Sequence, residues 1–132
     1  MIVLDASVVA NIVGDDTQVG GAARARLAEA GDAAVPDLAD VETVAVLRKR
    51  WLAGDITVRR FRVAVDDLVA LPVVRYPTGP LMIRAYELRA NVTAHDATYV
   101  ALAEGLACTL LTADGRLARA LAKTCHVEVF NV

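Results

Sequence analysis

Ala107-Cys108-Thr109-Leu110-Leu111, followed at once by Thr112-Ala113-Asp114, decides the fold of this 132-residue chain. Bounded by Gly105 and Asp114, it reads as a short apolar strand buried on both faces, as strands of parallel sheets are. Met1-Ile2-Val3-Leu4-Asp5 has the same form, an apolar run that ends on an acid. Ala33-Ala34-Val35-Pro36 and Val73-Val74-Arg75-Tyr76 supply two more strands, and residues 127–130 a fifth. Helical patterns fill the gaps, at 7–13, 22–30 closed by Gly31, 38–53 with Asp37 as cap and Gly54 as stop, and 58–71 capped by Thr57 and ended by Pro72. Others run over 81–90 after Pro80, 94–104 after Thr93, and 115–122. Inward faces are expected from Leu38, Val41, Val44, Ala45, Leu47 and Trp51 in one long helix, and from Phe61, Val65, Leu68 and Val69 in the next. Strand and helix alternate throughout, which predicts a central parallel sheet covered by helices on both faces.

The length fits a single domain spanning residues 1–132. A hydrophobic content of 56%, with Ser7 as the single serine and four prolines, argues for a packed globule rather than a disordered chain. The first residues show no basic stretch ahead of an apolar one, so a secretory signal is not expected and a cytoplasmic location is. The most apolar window, residues 97–113, is broken by Glu104 and Gly105 and falls short of the roughly 20 residues a membrane span needs. Cys108 and Cys125 are too few for a disulfide framework and are expected to be inert thiols. A net charge of −2 is not the footprint of bulk electrostatic binding to nucleic acid. Yet twelve of the fourteen cations are arginine, some clustered as Arg48-Lys49-Arg50 and as Arg59, Arg60 and Arg62. The planar guanidinium suits phosphate. Solvated helix faces would account for both clusters equally well.

In parallel sheets ligands sit outside the carboxyl ends of the strands, where the strand order reverses. Asp5 ends the first strand and Asp114 follows the fourth, so the two meet if those strands are neighbours. Glu42 lies early in the helix leaving the second strand, and Asp96 lies in the first turn of its helix, on the side of Tyr99 and Val100. Each acid also has a structural reading: Asp5 and Asp114 as helix caps, Asp96 as a first-turn partner of the helix dipole, Glu42 as an edge residue reaching solvent. Taken together they are harder to explain that way. Two carboxylates about 4 Å apart repel by ~4 kcal/mol at an effective dielectric near 20, so four must protonate or recruit cations. Oxygen donors without His or Cys favour Mg2+ or Mn2+ over zinc. His95 and His126 lack metal-ligand spacing and are read as structural.

The opening Ile2-Val3-Leu4-Asp5-Ala6-Ser7, the mid-chain Glu42, the stretch HDATYVALAE from His95 and LLTADGRLARAL from Leu110 resemble PIN-domain ribonuclease toxins of the VapC family, along the whole chain. The resemblance implies a three-layer α/β/α sandwich around a mainly parallel five-stranded sheet. It implies the toxin of a type II toxin–antitoxin pair, an endoribonuclease dependent on Mg2+ or Mn2+. Asp5, Glu42, Asp96 and Asp114 match the family's acidic quartet, which serves as catalytic and metal-binding set; Ser7 and Thr112 match its supporting hydroxyls, though either could be a turn or helix cap. The implied partners are RNA, a VapB-like antitoxin and a second copy of the chain, with no membrane. Gly115-Arg116 replaces a further acid that some relatives carry after the last aspartate, which leaves the number of metals at one or two.

Other classes fit less well. A receiver domain needs a phosphoacceptor Asp at the end of a middle strand, where Val73-Val74-Arg75-Tyr76-Pro77 has none. A haloacid-dehalogenase-like phosphatase needs a second acid at position 7, where Ser7 stands. No glycine-rich phosphate loop and no nucleophile elbow are present. The remaining alternative is a catalytically inactive PIN-like module that binds RNA or protein.

Overall fold

The structure, a computed structural model, describes residues 1–121 and the backbone of residues 129–131. Cys125, His126 and the predicted ends at 122 and 127–128 lie outside the described residues. Five parallel strands, β1 (Ile2–Leu4), β2 (Ala33–Pro36), β3 (Val74–Tyr76), β4 (Thr109–Thr112) and β5 (Val129–Asn131), form one sheet in the order β3-β2-β1-β4-β5. β1 and β2 are buried throughout, as their unbroken apolar sequence requires. The chain steps outward from β1 to β3, then returns across the sheet to β4. The reversal therefore falls between β1 and β4, which pair Leu4 with Leu111.

Right-handed crossovers place α1 (Ala6–Gly14), α2 (Gln18–Ala30), α3 (Leu38–Leu52) and α4 (Val58–Ala70) on one face and α5 (Met82–Glu87), α6 (Ala94–Leu106) and α7 (Gly115–Leu121) on the other. The packing agrees: α1 touches α2, α3 and α4, whereas α6 lies on β1, β2 and β4 beside α5. The expected three-layer sandwich is thus formed. Every residue of α1 but Ser7 is buried. The carbonyls at its C-terminal end are met by three arginines: Arg24 donates to Ile12 O and Asp15 O, Arg50 to Asn11 Oδ1, and Arg60 to Val13 O and the Asp16 carboxylate.

Several local expectations need correction. The helix expected over 22–30 begins four residues earlier: α2 starts at Gln18, capped by the Thr17 hydroxyl. A Cβ on Gly20 would lie 1.8 Å from the carbonyl oxygen of Asp15, so close backbone approach, not a turn, is why glycine stands there. Asp37 precedes α3 without a capping side-chain hydrogen bond; its backbone N–H instead donates to Tyr76 O at 2.7 Å, continuing the β2–β3 edge. α3 buries Ala39, Thr43 and Leu47, leaving Val41 71% exposed and Trp51 at its rim against Phe61. α4 likewise buries Ala64 and Leu68, and Val69 points to solvent. Residues 81–90 form a 3-10 turn (Gly79–Leu81) containing Pro80 and then the short α5. No helix among the described residues is long and apolar enough to cross a membrane.

Candidate active site

All five strands run the same way, so the carboxyl ends of β1, β2 and β4 share one edge of the sheet. Asp5 follows β1 directly and caps α1: its Oδ1 accepts the Val8 N–H at 3.1 Å and the Ser7 hydroxyl at 2.5 Å. Its backbone N–H donates to Leu111 O at 3.1 Å, fastening it to β4 across the switch point. Oδ2 accepts the Thr112 hydroxyl, and Thr112 Oγ1 in turn accepts the Asp114 N–H at 3.0 Å. Ser7 Oγ accepts the Ala113 N–H at 3.0 Å. Ser7 and Thr112 thus weld the ends of β1 and β4 into one unit, with both hydroxyls spent on orienting acids and backbone.

Asp114 caps α7, its Oδ1 accepting the N–H groups of Arg116 and Leu117. Capping leaves its Oδ2 for a ligand. Asp96 sits in the first turn of α6, where its N–H donates to the Thr93 hydroxyl, the cap expected from the sequence. Glu42 lies one turn into α3 and accepts the phenol of Tyr99, 3.0 Å away on α6. The structural and the functional readings of these acids therefore coexist, because a cap uses one carboxylate oxygen and spares the other. Asp5 is the most committed: with three donors bound it keeps one of about four acceptor positions, on Oδ2.

Electrostatics tie the four acids together. Burial pushes the carboxyl of Asp5 above its ordinary range, its three hydrogen bonds oppose this, and the charge of Asp96 adds to the rise. Burial likewise raises Asp96, countered by Thr93 and augmented by Asp114. Glu42 is raised by burial against the pull of Tyr99, with Asp96 and Asp5 contributing. The Tyr99 hydroxyl is pushed upward by burial and by the facing carboxylates, so it stays protonated and donates. Negative charges thus act on one another here, offset in part by His95 at Glu42 and Asp96.

Asp96 and Asp114 line an open cleft of about 520 Å3 whose walls also include Arg89, Asn91, Thr93 and Arg116. Asp5, 5% exposed, is not part of its lining. Glu42 borders a separate depression with Arg48 and Lys49. Among the described residues no three Asp, Glu, His or Cys groups form a ready-made cage for an ion. The donors that these acids offer are carboxylate oxygens, the type that Mg2+ or Mn2+ takes. His95 is exposed beside an apolar dent with Leu38, Met82 and Thr98, and its charge acts on Asp96 and Glu42 only at a distance.

Sequence reasoning placed Tyr99 near Asp96 but missed its bond to Glu42, which depends on the register of two distant helices. It also missed Arg89 at the cleft wall; only its place between α5 and α6 could have hinted at that. Of the arginine clusters, Arg50 and Arg60 cap α1, and Arg62 pairs with Asp66. Cys108 is a free, partly buried thiol raised by burial.

Comparison with known proteins identifies the family. The family model described as PIN domain matches residues 2–123. The chain is 39% identical over 129 residues to ribonuclease VapC12 of Mycobacterium tuberculosis and 40% identical over 129 residues to its ribonuclease VapC9, covering 98% of both chains in each case. Its fold superposes on the structure of VapBC2 from Rickettsia felis bound to a promoter DNA fragment, with a TM-score of 0.67 at 14% identity, over 100% of this chain and 99% of that one. This chain belongs to the PIN-domain family and, within it, groups with the VapC ribonucleases.

Proposed function

We propose that this protein is the ribonuclease toxin of a type II toxin–antitoxin pair, cutting RNA phosphodiester bonds internally with the help of Mg2+ or Mn2+. The observation that carries this reading is the placement of Asp5 at the β1–β4 switch point and of Asp96 and Asp114 on one cleft, with Asp5, Asp96 and Glu42 pushed toward the protonated form by burial first and then by neighbouring carboxylates. A divalent cation relieves that repulsion. Asp96 and the free Oδ2 of Asp114 would hold it at the cleft, Asp5 through its remaining Oδ2 acceptor position, and Glu42 through water.

When bound, such an ion supplies an acidified water and charge stabilisation for an in-line displacement at phosphorus. The chain's own residues do the remainder. Ser7 and Thr112 fix the Asp5 carboxylate, Tyr99 fixes Glu42, and Arg116 at the cleft wall meets the RNA backbone. Phosphate contacts position a strand without reading it, so these residues set the chemistry rather than the target sequence. The relatives' ribonuclease names support the activity, and the VapBC2 neighbour from Rickettsia felis supports a VapB-like antitoxin as partner; a cytoplasmic location belongs to the same proposal. A homodimer is the expected unit of assembly.

The test is cleavage of total RNA in Mn2+ by wild type, Asp5→Ala and Asp96→Ala. Both variants should be inactive, and EDTA should abolish wild-type cleavage. Activity that survives both substitutions, or survives EDTA, would favour the inactive-module alternative or a metal-free reaction.

A further inference from the structure

The cleft wall contains a feature the acidic site does not use. Arg89 lies just past α5, and its guanidinium carbon stands 4.2 Å from the centroid of the Tyr86 ring. Its Nη1 donates to Tyr86 O at 3.1 Å, so the group is held over the ring rather than free to sweep solvent. Arg84 of α5, by contrast, is engaged with acids: it bonds both oxygens of Glu104 and reaches Glu87. Arg89 has no acidic partner among the described residues. Tyr86 is 63% exposed, so its ring contributes little to the core and acts chiefly as a support for the guanidinium. Arg89 lines the same cleft as Asp96, Asp114 and Arg116.

A cation held over an aromatic face in this way presents its own outer plane to whatever enters the cleft. Guanidinium planes and aromatic rings are the surfaces on which unpaired RNA bases stack, and stacking tolerates any base because each has a π face. Building on the nuclease reading, we propose that Arg89 backed by Tyr86 is a base-stacking platform, holding one unpaired base of single-stranded RNA beside the nucleotide whose phosphate lies at Asp96 and Asp114. The site would therefore select single-stranded segments, since a base in a duplex cannot be splayed onto the platform.

Binding is measured in EDTA, by fluorescence anisotropy of a labelled single-stranded RNA oligomer and of an abasic ribose-phosphate oligomer of the same length. Wild type should prefer the base-bearing RNA. Tyr86→Ala should weaken that RNA roughly tenfold while changing the abasic one less than about twofold, and Tyr86→Phe should behave as wild type. Arg89→Lys, which keeps the charge and loses the plane, should show the same selective loss as Tyr86→Ala. Tyr86 is exposed, so neither variant endangers folding. Equal losses on both RNAs would reduce the pair to a phosphate contact and overturn the proposal. So would no loss, or a loss that follows a change in sedimenting mass, which would assign exposed Tyr86, Ile83 and Met82 to a contact between copies of the chain. Mn2+-dependent cleavage of the same oligomer reports separately on the nuclease reading.

Discussion

The phenol of Tyr99 donates to Glu42 Oε1 at 3.0 Å, joining residues 57 positions apart on helices of the two opposite layers. The bond crosses at the carboxyl edge of the sheet, where Glu42 would otherwise be a half-buried carboxylate with no donor. Tyr99→Phe keeps the ring and removes the donor. The expected cost is about 1 kcal/mol at neutral pH, because Glu42 retains partial access to water. At limiting Mn2+, cleavage should fall roughly 10-fold and recover in part as Mn2+ is raised, since the substitution acts through an orienting partner of the metal site. Urea denaturation and a Mn2+ titration of RNA cleavage check both statements. Activity unchanged at limiting metal would mean that Glu42 needs no positioning.

Thr112 carries a heavier load, because one hydroxyl donates to Asp5 Oδ2 and accepts the Asp114 N–H, and it is fully buried. Thr112→Val preserves shape and leaves both groups short of a partner. Stability should drop by roughly 1–3 kcal/mol, the cost of stranding buried polar groups. Cleavage should fall by roughly 10–100-fold, and Thr112→Ser should restore most of it. A Val variant as stable as wild type would mean that water replaces the hydroxyl.

How far all this was legible in the sequence follows from the range of each interaction. Leu110-Leu111 and Ile2-Val3-Leu4 declared buried parallel strands by composition alone, and the acids that end them marked the switch point once the strands proved adjacent. Thr17, Thr57 and Thr93 cap helices through bonds two or three residues long, and the Thr57 and Thr93 caps could be read directly. The inward faces of α3 and α4 could be read in part: Leu47 and Leu68 enter the core and Val44, Phe61 and Val65 pack against it, but Val41 and Val69 are apolar and exposed and Thr43 is polar and buried, because which side of a helix is covered depends on its neighbours. The basic clusters failed as guides for the same reason. Arg50 and Arg60 reach back 39 and 47 residues to the end of α1, partners that no local pattern announces. Asp5, Asp96, Asp114 and Glu42 could be named from the sequence, but that Asp96 and Asp114 share a cleft while Glu42 borders a separate depression and Asp5 is buried could not.

The acids also fix how stability should vary with pH. Asp5, Asp96 and Glu42 hold their protons more tightly folded than unfolded, so the stability they contribute is complete below the ordinary values of 3.8 for Asp and 4.5 for Glu. It is lost as pH rises through their folded values. Asp15 and Asp16 act oppositely: the Thr17 bonds hold Asp15 low despite burial, and Arg60 holds Asp16 low, so their contribution disappears only as pH falls below 3.8. Metal-free protein should therefore melt at a higher temperature near about pH 5 than near about pH 7.5, and Asp96→Asn should flatten the difference. Mg2+ or Mn2+ should reverse the trend, because the ion binds the ionised carboxylates of the native state and its stabilisation grows with pH. Thermal melts at the two pH values, with EDTA and with Mn2+, provide the check; a metal-free protein more stable near neutrality would contradict the raised acids.

Adjacent glycines in α2 separate two physical effects that share one mutation. In an open helix, glycine costs about 0.5–1 kcal/mol relative to alanine, since it has more backbone freedom to lose on folding. Nothing lies within 4 Å of a Cβ added to Gly21, so Gly21→Ala should gain about that amount. At Gly20 the same methyl would sit 1.8 Å from Asp15 O and 2.8 Å from Asn11 O, backbone atoms at the end of α1 that cannot swing aside. Gly20→Ala must push α2 away from α1, against the Arg24 bonds that hold the α1 terminus, and should lose roughly 1–3 kcal/mol. α1 carries Asp5 at its other end, so the strain should reach the acidic site as reduced stabilisation by Mn2+. Opposite signs of the two stability changes in urea denaturation are the expected result. Equal gains would show that the α1–α2 contact yields easily and that the two glycines differ only in name.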